Sequence, residues 1–315
     1  MKKHKIIYIL ILIFFIFQIS CSINSNDFLK DDSEIIFNQF NTYEKESFGF
    51  AISSDPHFFG KNSNLEASIH ILQLLEKYFV KSKIDAFFIL GDFFDIGGIK
   101  QNWERFIGLK NKYAPSLPIY SVIGNHDKYL FGQIYWQKLF GKIESQFLIY
   151  GPTTFVWHYN INKIHFIGLN LPSGYFNMSN KEKEWVKNQI NQISKDDFLI
   201  ILSHSFFYSS GYKDLSGNWF DNIGNIKNIA PLFIDKADLV VSGHNHYMEW
   251  IEQDGVNWAI IGSMGGKPDP VPSFMTKGSK WFNRGSYGFL LIEIKNETIY
   301  CSFLDEYGNL LFIKK

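Results

Sequence analysis

The strongest constraint in this chain is a series of short apolar runs, each too brief and too β-prone for a helix, separated by helical segments. The runs fall at 48–53, 86–90, 118–123, 198–202 and 239–241. Between the first two, Ser63-Asn64-Leu65-Glu66 has the spacing of a capping box, and Leu65, Ile69, Leu72, Leu75 and Phe79 come after it at helical intervals. A helix is expected around 102–112, and Ser179-Asn180-Lys181-Glu182 predicts a second capping box opening a helix to about Ile193. Segments 155–159 and 163–169, separated by Asn160-Ile161-Asn162, predict a hairpin, and the chain from Trp250 onward reads as further hairpins with a turn at Asp254-Gly255. Strands separated by helices early and hairpins late predict a layered α/β domain with mixed sheets. No Pro/Gly/Ser linker and no internal repeat divides the body, so one domain is expected over 47–315.

The residues at the end of each run are more specific. Asp55-Pro56-His57 comes after the first and Gly91-Asp92-Phe93-Phe94-Asp95 after the second. Gly124-Asn125-His126-Asp127 comes after the third, Ser203-His204 after the fourth and Ser242-Gly243-His244-Asn245-His246 after the fifth. Residues at the carboxyl ends of neighbouring strands converge on one crevice. Of nine histidines, five occupy these positions; His4, His70, His158 and His165 do not, and are read as having no role. Neutral imidazoles with ionised carboxylates suit Mn, Fe, Zn or Co. An isolated buried carboxylate or imidazolium is costly, and a cation offsets that cost. Asn125 adds a neutral carbonyl oxygen, and Gly91, Gly124 and Gly243 are expected to let the backbone turn sharply before the ligands.

Asp-x-His, Gly-Asp-x-x-Asp, Gly-Asn-His-Asp, a later His and Gly-His-x-His, in this order, resemble the calcineurin-like metallophosphoesterase superfamily over 48–246. The resemblance implies a four-layer αββα sandwich of two mixed sheets, with a dimetal site at the strand ends. It implies two divalent or trivalent transition-metal ions. Asp55, His57 and His246 would hold one, Asn125, His204 and His244 the other, and Asp92 would bridge both. His126 would be the catalytic histidine near the scissile phosphate, with the Asp95 carboxylate orienting it. The segment after the fifth motif, including 260–266, and His204 to Gly211 are similar to the secreted branch that contains purple acid phosphatases. Two positions depart from related patterns: Asp95 stands where the purple enzymes have a Tyr ligand, and Ile96 where protein Ser/Thr phosphatases have Arg. The colour and iron chemistry of the former and the guanidinium clamp of the latter are therefore not implied.

Charge counting gives an expected mechanism. Two divalent ions against Asp55 and Asp92, with a bridging hydroxide, leave a positive site that attracts a phosphate ester. That hydroxide would attack phosphorus in line, without a phosphoenzyme, while His126 donates a proton to the leaving oxygen. The expected activity is a phosphomonoesterase or phosphodiesterase acting on a small-molecule phosphate ester. The alternatives are a nucleotide-directed phosphodiesterase or nuclease, and a metal-binding scaffold without catalysis. Trp103, Tyr129, Tyr208, Tyr212 and the Met264-Gly265-Gly266 loop are candidate pocket walls, weighed against ordinary packing in a chain with thirty-two Phe.

Composition excludes several classes. An apolar content of 46% with 20% charged residues is that of a folded chain. Equal numbers of basic and acidic residues give no support to binding of long nucleic acid. Two cysteines exclude a disulfide scaffold. Lys2, Lys3 and Lys5, then an apolar run over 6–17, then Ser20-Cys21, describe a signal peptide over 1–20. An uncleaved anchor and a lipoprotein signal with Cys21 modified are the other readings of the same residues. Residues 21–46 read as a polar tether, and the remainder after 1–20 carries a net charge of −3. The expected location is extracytoplasmic: secreted, periplasmic or lipid-anchored to a membrane. The oligomeric state is left open.

Overall fold

The computed structural model describes residues 47–215 and 217–315, so the expected signal segment and tether lie outside the described residues. The chain opens with β1 (Ser47–Ser53), α1 (Leu65–Val80), β2 (Ala86–Ile89), α2 (Lys100–Tyr113) and β3 (Ile119–Ser121). A 3-10 turn at His126–Phe131 leads to α3 (Gln133–Phe140), then β4 (Leu148–Tyr150), β5 (Trp157–Ile161) and β6 (Ile164–Gly168). Next come α4 (Asn180–Gln192), β7 (Phe198–Ser203), a small hairpin of β8 (Tyr212–Asp214) and β9 (Gly217–Trp219), α5 (Ile223–Asn228) and β10 (Leu239–Ser242). The chain closes with β11 (Met248–Gln253), β12 (Val256–Ile261), β13 (Ser279–Asn283), β14 (Gly288–Lys295), β15 (Thr298–Asp305) and β16 (Leu310–Lys314).

Two mixed sheets result. One has the order β16-β15-β14-β1-β2-β3, with β1, β2 and β3 parallel and β14 antiparallel to β1. The other has the order β13-β11-β12-β10-β7-β6-β5-β4, with β6, β7, β10 and β12 parallel. Aromatic side chains fill the space between them. Phe88 of β2 lies 4.6 Å from Phe166 of β6 and stacks on Trp157 of β5 at 5.9 Å, while Phe50 of β1 meets Phe166 at 4.7 Å. Trp157 Nε1–H donates across the interface to the Ser121 carbonyl at 2.9 Å. On the outer face of the second sheet, Val186 and Ile190 of α4 join Ile229, Ala230 and Phe233 in a buried cluster with Leu199, Ile201 and Val240. Against the first sheet, α1 buries Ile71, Leu72 and Leu75, and α2 buries Trp103, Phe106 and Ile107. This is the layered α/β domain with mixed sheets expected from the strand and helix pattern, and the αββα sandwich that the resemblance implies. Among the described residues, no helix is long and apolar enough to cross a membrane.

Local details refine the expectations. The second capping box is present in full, with Ser179 and Glu182 exchanging side-chain and backbone hydrogen bonds. The first is not: Asn64 caps α1 by accepting from Ala67 N–H at 3.1 Å, and Ser63 turns away to the Gly60 carbonyl. An Asn one residue later in the same run satisfies the orphan donor equally well. The β5–β6 hairpin is tighter than expected, with Ile161 paired to Ile164, so Asn160 and Ile161 belong to the strand and Asn162, at φ 53°, opens the turn. Asp254 and Gly255 both have positive φ, as a two-residue turn between antiparallel strands requires.

Phe88 is wholly buried between the sheets. Phe88→Ala is expected to cost about 3–5 kcal/mol of stability, read from urea unfolding midpoints at unchanged slope.

Candidate metal centre

All five motif segments meet. β1, β2 and β3 are parallel neighbours in one sheet, and β7 and β10 are parallel neighbours in the other, so their carboxyl ends open on the same edge of the sandwich. Backbone contacts stitch these ends together. Asp55 N–H and His57 N–H donate to the carbonyls of Gly91 and Asp92, and Gly243 N–H donates to the His204 carbonyl. The two sheets are joined here as well: His244 N–H donates to Asp55 Oδ2 at 2.9 Å, and His204 Nδ1–H to the Leu90 carbonyl at 2.7 Å.

Two groups of candidate ligands form at this edge. Asp55, His57 and His246 make one, and Asp92, His204 and His244 the other; within each group the ligand atoms lie within 4.8 Å of one another. Asn125 belongs with the second group, its Oδ1 lying 2.9 Å from His204 Nε2. Asp92 Oδ2 lies 3.3 Å from His204 Nε2 and 3.9 Å from His57 Nε2, so it stands between the groups. His126 is beside them, its N–H donating to Asp92 Oδ1 at 2.9 Å and its ring 5.1 Å from that of His57.

The tautomers are set from outside. His57 Nδ1 lies 2.8 Å from Asp95 Oδ1, His204 Nδ1 faces the Leu90 carbonyl and His246 Nδ1 faces the Lys267 carbonyl at 2.7 Å. In all three, Nδ1–H is committed to an outer acceptor and Nε2 points into the cluster, which is how histidines are oriented toward a cation.

The charge state agrees. Burial alone would push Asp55 up, but His204 and His246 bring it down to about 2; burial of Asp92 is likewise outweighed by His204, which lowers it. Burial would push His204 down, yet Asp92 and Asp55 hold it up at about 9. His246, opposed by burial, is held at about 10 chiefly by Asp55. His244 is pushed down to about 3 by burial and by the charge of His204. Asn125 Oδ1, His244 Nδ1 and Asp92 Oδ2 converge on His204 Nε2, at 2.9, 3.0 and 3.3 Å. Three electron-pair donors aimed at a single positive point describe a cation site. Asp55 Oδ1, buried without a hydrogen-bond partner and 3.4 Å from His246 Nε2, marks a second such point.

Comparison with known proteins agrees with this geometry. The sequence model of the calcineurin-like phosphoesterases matches residues 48–248. The chain belongs to that family. No curated protein matches the sequence. Among solved structures, GAP50, the anchor in the inner membrane complex of Plasmodium, is similar with a TM-score of 0.66 at 19% identity, over 86% of this chain and 89% of that one. A purple acid phosphatase from yellow lupin seeds gives 0.68 at 15% identity over 86% of this chain, which spans about half (53%) of that protein. A dimetal phosphatase from Danio rerio gives 0.54 at 13% identity, over 82% and 96% of the two chains.

Within this calcineurin-like phosphoesterase, two expectations need correction. The Asp95 carboxylate does not orient His126. Its Oδ1 holds His57, and the Asp95 backbone carbonyl accepts from His126 Nδ1–H at 2.8 Å. The chain bends after β2 so that the Asp95 side chain faces one imidazole and its peptide the other. Gly124 and Gly243 serve close approach rather than turning: a Cβ at Gly124 would sit 2.1 Å from Asp92 Oδ1, and one at Gly243 2.0 Å from Ser54 Oγ. Only Gly91 has positive φ among the three (88°). The sharp turning falls instead on Asp55, His57, Asp92 and His244, with φ of 54°, 43°, 53° and 71°. Such backbone costs on the order of 1 kcal/mol per residue and collects at functional sites.

Asp127 supports the site from below, accepting from the N–H groups of Asp92, Gly124 and Phe93. Asp269, which no sequence signal singled out, accepts from His246 N–H at 2.8 Å. Of the candidate walls, Trp103 and Tyr208 are buried in packing and Tyr129 lies 4.8 Å from the His126 ring. Gly266 abuts His246, where a Cβ would come within 2.8 Å of Cε1.

The shifts set the pH dependence of metal uptake. His204 and His246, raised above their ordinary 6.5, stabilise the metal-free fold below about 6.5 and lose that contribution as pH rises through about 9–10. A metal must displace both protons near neutrality. Calorimetric titration of chelator-treated protein with Mn²⁺ in buffers of different ionisation enthalpy is expected to show release of about two protons per chain at pH 7. Uptake without proton release contradicts these charge states.

Proposed function

We propose that this protein is a metal-dependent hydrolase of phosphate esters. The observation that carries the reading is the Asp92 carboxylate, buried between two groups of inward-facing imidazoles, with His126 bonded to the same carboxylate. In this reading Asp55, His57 and His246 would hold one metal ion and Asn125, His204 and His244 the other, with Asp92 between the two groups. Two bound ions would stabilise the charge of the phosphoryl oxygens and supply an ionised water near neutral pH as the nucleophile.

The chain's own residues do the rest. Asp55 and Asp92 supply two negative charges and the other ligands none, so the loaded site is electropositive toward a phosphate ester. Asp95 and the carbonyls of Leu90 and Lys267 keep the imidazoles in the required tautomers. His126 keeps Nδ1–H on the Asp95 carbonyl, so Nε2 faces the site; in the doubly protonated ring Nε2–H passes its proton to the departing oxygen and the ring is left neutral with Nδ1–H in place. The Asp92 carboxylate fixes the backbone of this acid relative to the ligands through its bond to His126 N–H. No Ser or Cys nucleophile is required. Cys301, the one cysteine among the described residues, is buried, and burial pushes its thiol up to about 12.

The likeness to GAP50 supports a second reading, in which the fold serves as an anchor without turnover. Hydrolysis separates the two. With Mn, Fe, Zn or Co, the protein is expected to cleave an aryl phosphate or its bis-ester in a chelator-sensitive way. His126→Ala is expected to lower kcat by about 10²–10⁴-fold with two metals retained, since it removes a proton donor and no ligand. Asp92→Asn is expected to lose metal. No cleavage with any of the four metals rejects the hydrolase, and loss of metal from His126→Ala rejects its role as an acid.

A further inference from the structure

Beside His244 stands an aromatic side chain held at several points. Trp219 ends β9, half-buried, its ring 5.3 Å from that of His244. Its carbonyl accepts from Asn245 Nδ2 at 3.0 Å, and Asn245 lies between the two histidines of the last motif. Its Nε1–H donates to Asp214 Oδ1 at 3.1 Å. Tyr212, its cross-strand partner, stacks on it at 6.3 Å and 21°. Tyr212 is itself anchored, because its hydroxyl donates to Asp269 Oδ1 at 3.3 Å while Asp269 Oδ2 accepts from His246 N–H. A Cβ on Gly211 would lie 1.6 Å from the Trp219 carbonyl, so the chain there has been kept bare to admit it.

A two-stranded surface hairpin needs none of this for its own sake. Leu215, after β8, is fully exposed. Yet the Trp219 backbone is tied to Asn245, which lies between His244 and His246, and its ring stacks on Tyr212, which Asp269 joins to His246 N–H. A rigid aromatic wall loses little conformational freedom when a flat group stacks on it. Both arginines are engaged elsewhere, Arg105 over the Phe59 ring and Arg284 on the Asp269 carbonyl.

We propose that Trp219 walls a subsite for a planar aromatic group carried by the phosphate ester. This deepens the phosphate-ester reading and rests on it for the placement of the phosphoryl group. The aromatic group is an aryl ester or a nucleobase, which share the stacking chemistry and differ in their ring edges.

The test is binding, so that it stands apart from turnover. The Mn-loaded full chain is titrated calorimetrically with methylphosphonate, 1-naphthylphosphonate and an adenosine 5′-phosphonate. At least one aromatic ligand is expected to bind about 10-fold more tightly than methylphosphonate. Trp219→Ala is expected to abolish that ratio and Trp219→Phe to restore most of it. The aromatic ligand with the larger loss identifies the source. Trp219→Leu, which keeps apolar bulk without a plane, serves where the Ala variant does not fold, and is likewise expected to lose the ratio. An aromatic-to-methyl ratio unchanged in Trp219→Ala or Trp219→Leu overturns the proposal, as does equal weakening of all three ligands. A protein that binds these phosphonates with the expected ratio but cleaves no ester sinks the hydrolase and leaves the subsite standing.

Discussion

The buried Asp92 carboxylate is the interaction around which the site edge is organised. Its Oδ1 receives His126 N–H, its Oδ2 faces His204, and its own N–H is held by Asp127. A carboxylate in this position is tolerable only because imidazoles surround it, and the imidazoles are held upright only because carbonyls and Asp95 take their outer protons. Remove the positive charge, whether proton or metal, and several electron-pair donors are left facing one another. The fold supplies rigidity for that arrangement by placing it where parallel strands of both sheets end, with β14 and β12 locked alongside.

Strain and polarity are therefore concentrated at one edge. Four candidate ligands have left-handed backbone, and three glycines give way to neighbours that a methyl group would strike. The aromatic core between the sheets has none of these features. Phe50, Phe88 and Phe166 sit in ordinary strands, wholly buried. The division is physical: the hydrophobic interior holds the frame, and the frame over-determines turns that would not persist alone. Trp219 extends the same logic to the rim, since its ring packs on Tyr212, which shares Asp269 with His246.

Much of this was legible in the sequence because the signal was periodic and ordered. Apolar runs gave the strands, and the polar residues after them gave the strand ends, so the convergence of Asp55, Asp92, Asn125, His204 and His244 came from topology. The features that were not legible depended on side-chain direction. Nothing in Gly91-Asp92-Phe93-Phe94-Asp95 says that the Asp95 carboxylate turns to His57 while its carbonyl turns to His126. Asp269 and Trp219 lie in segments without a motif, and reach the histidines only through tertiary contacts that no local pattern encodes. The Ser63 and Asn64 alternatives show the same limit at a helix start, where two adjacent caps compete and packing decides.

The central claim is that these residues form two adjoining cation sites that share one carboxylate. Anomalous diffraction from crystals of the chelator-treated protein reloaded with Mn²⁺ tests it directly. Two peaks per chain are expected, one against Asp55, His57 and His246, the other against Asn125, His204 and His244, and both touching Asp92. A single peak, or peaks away from Asp92, would contradict it.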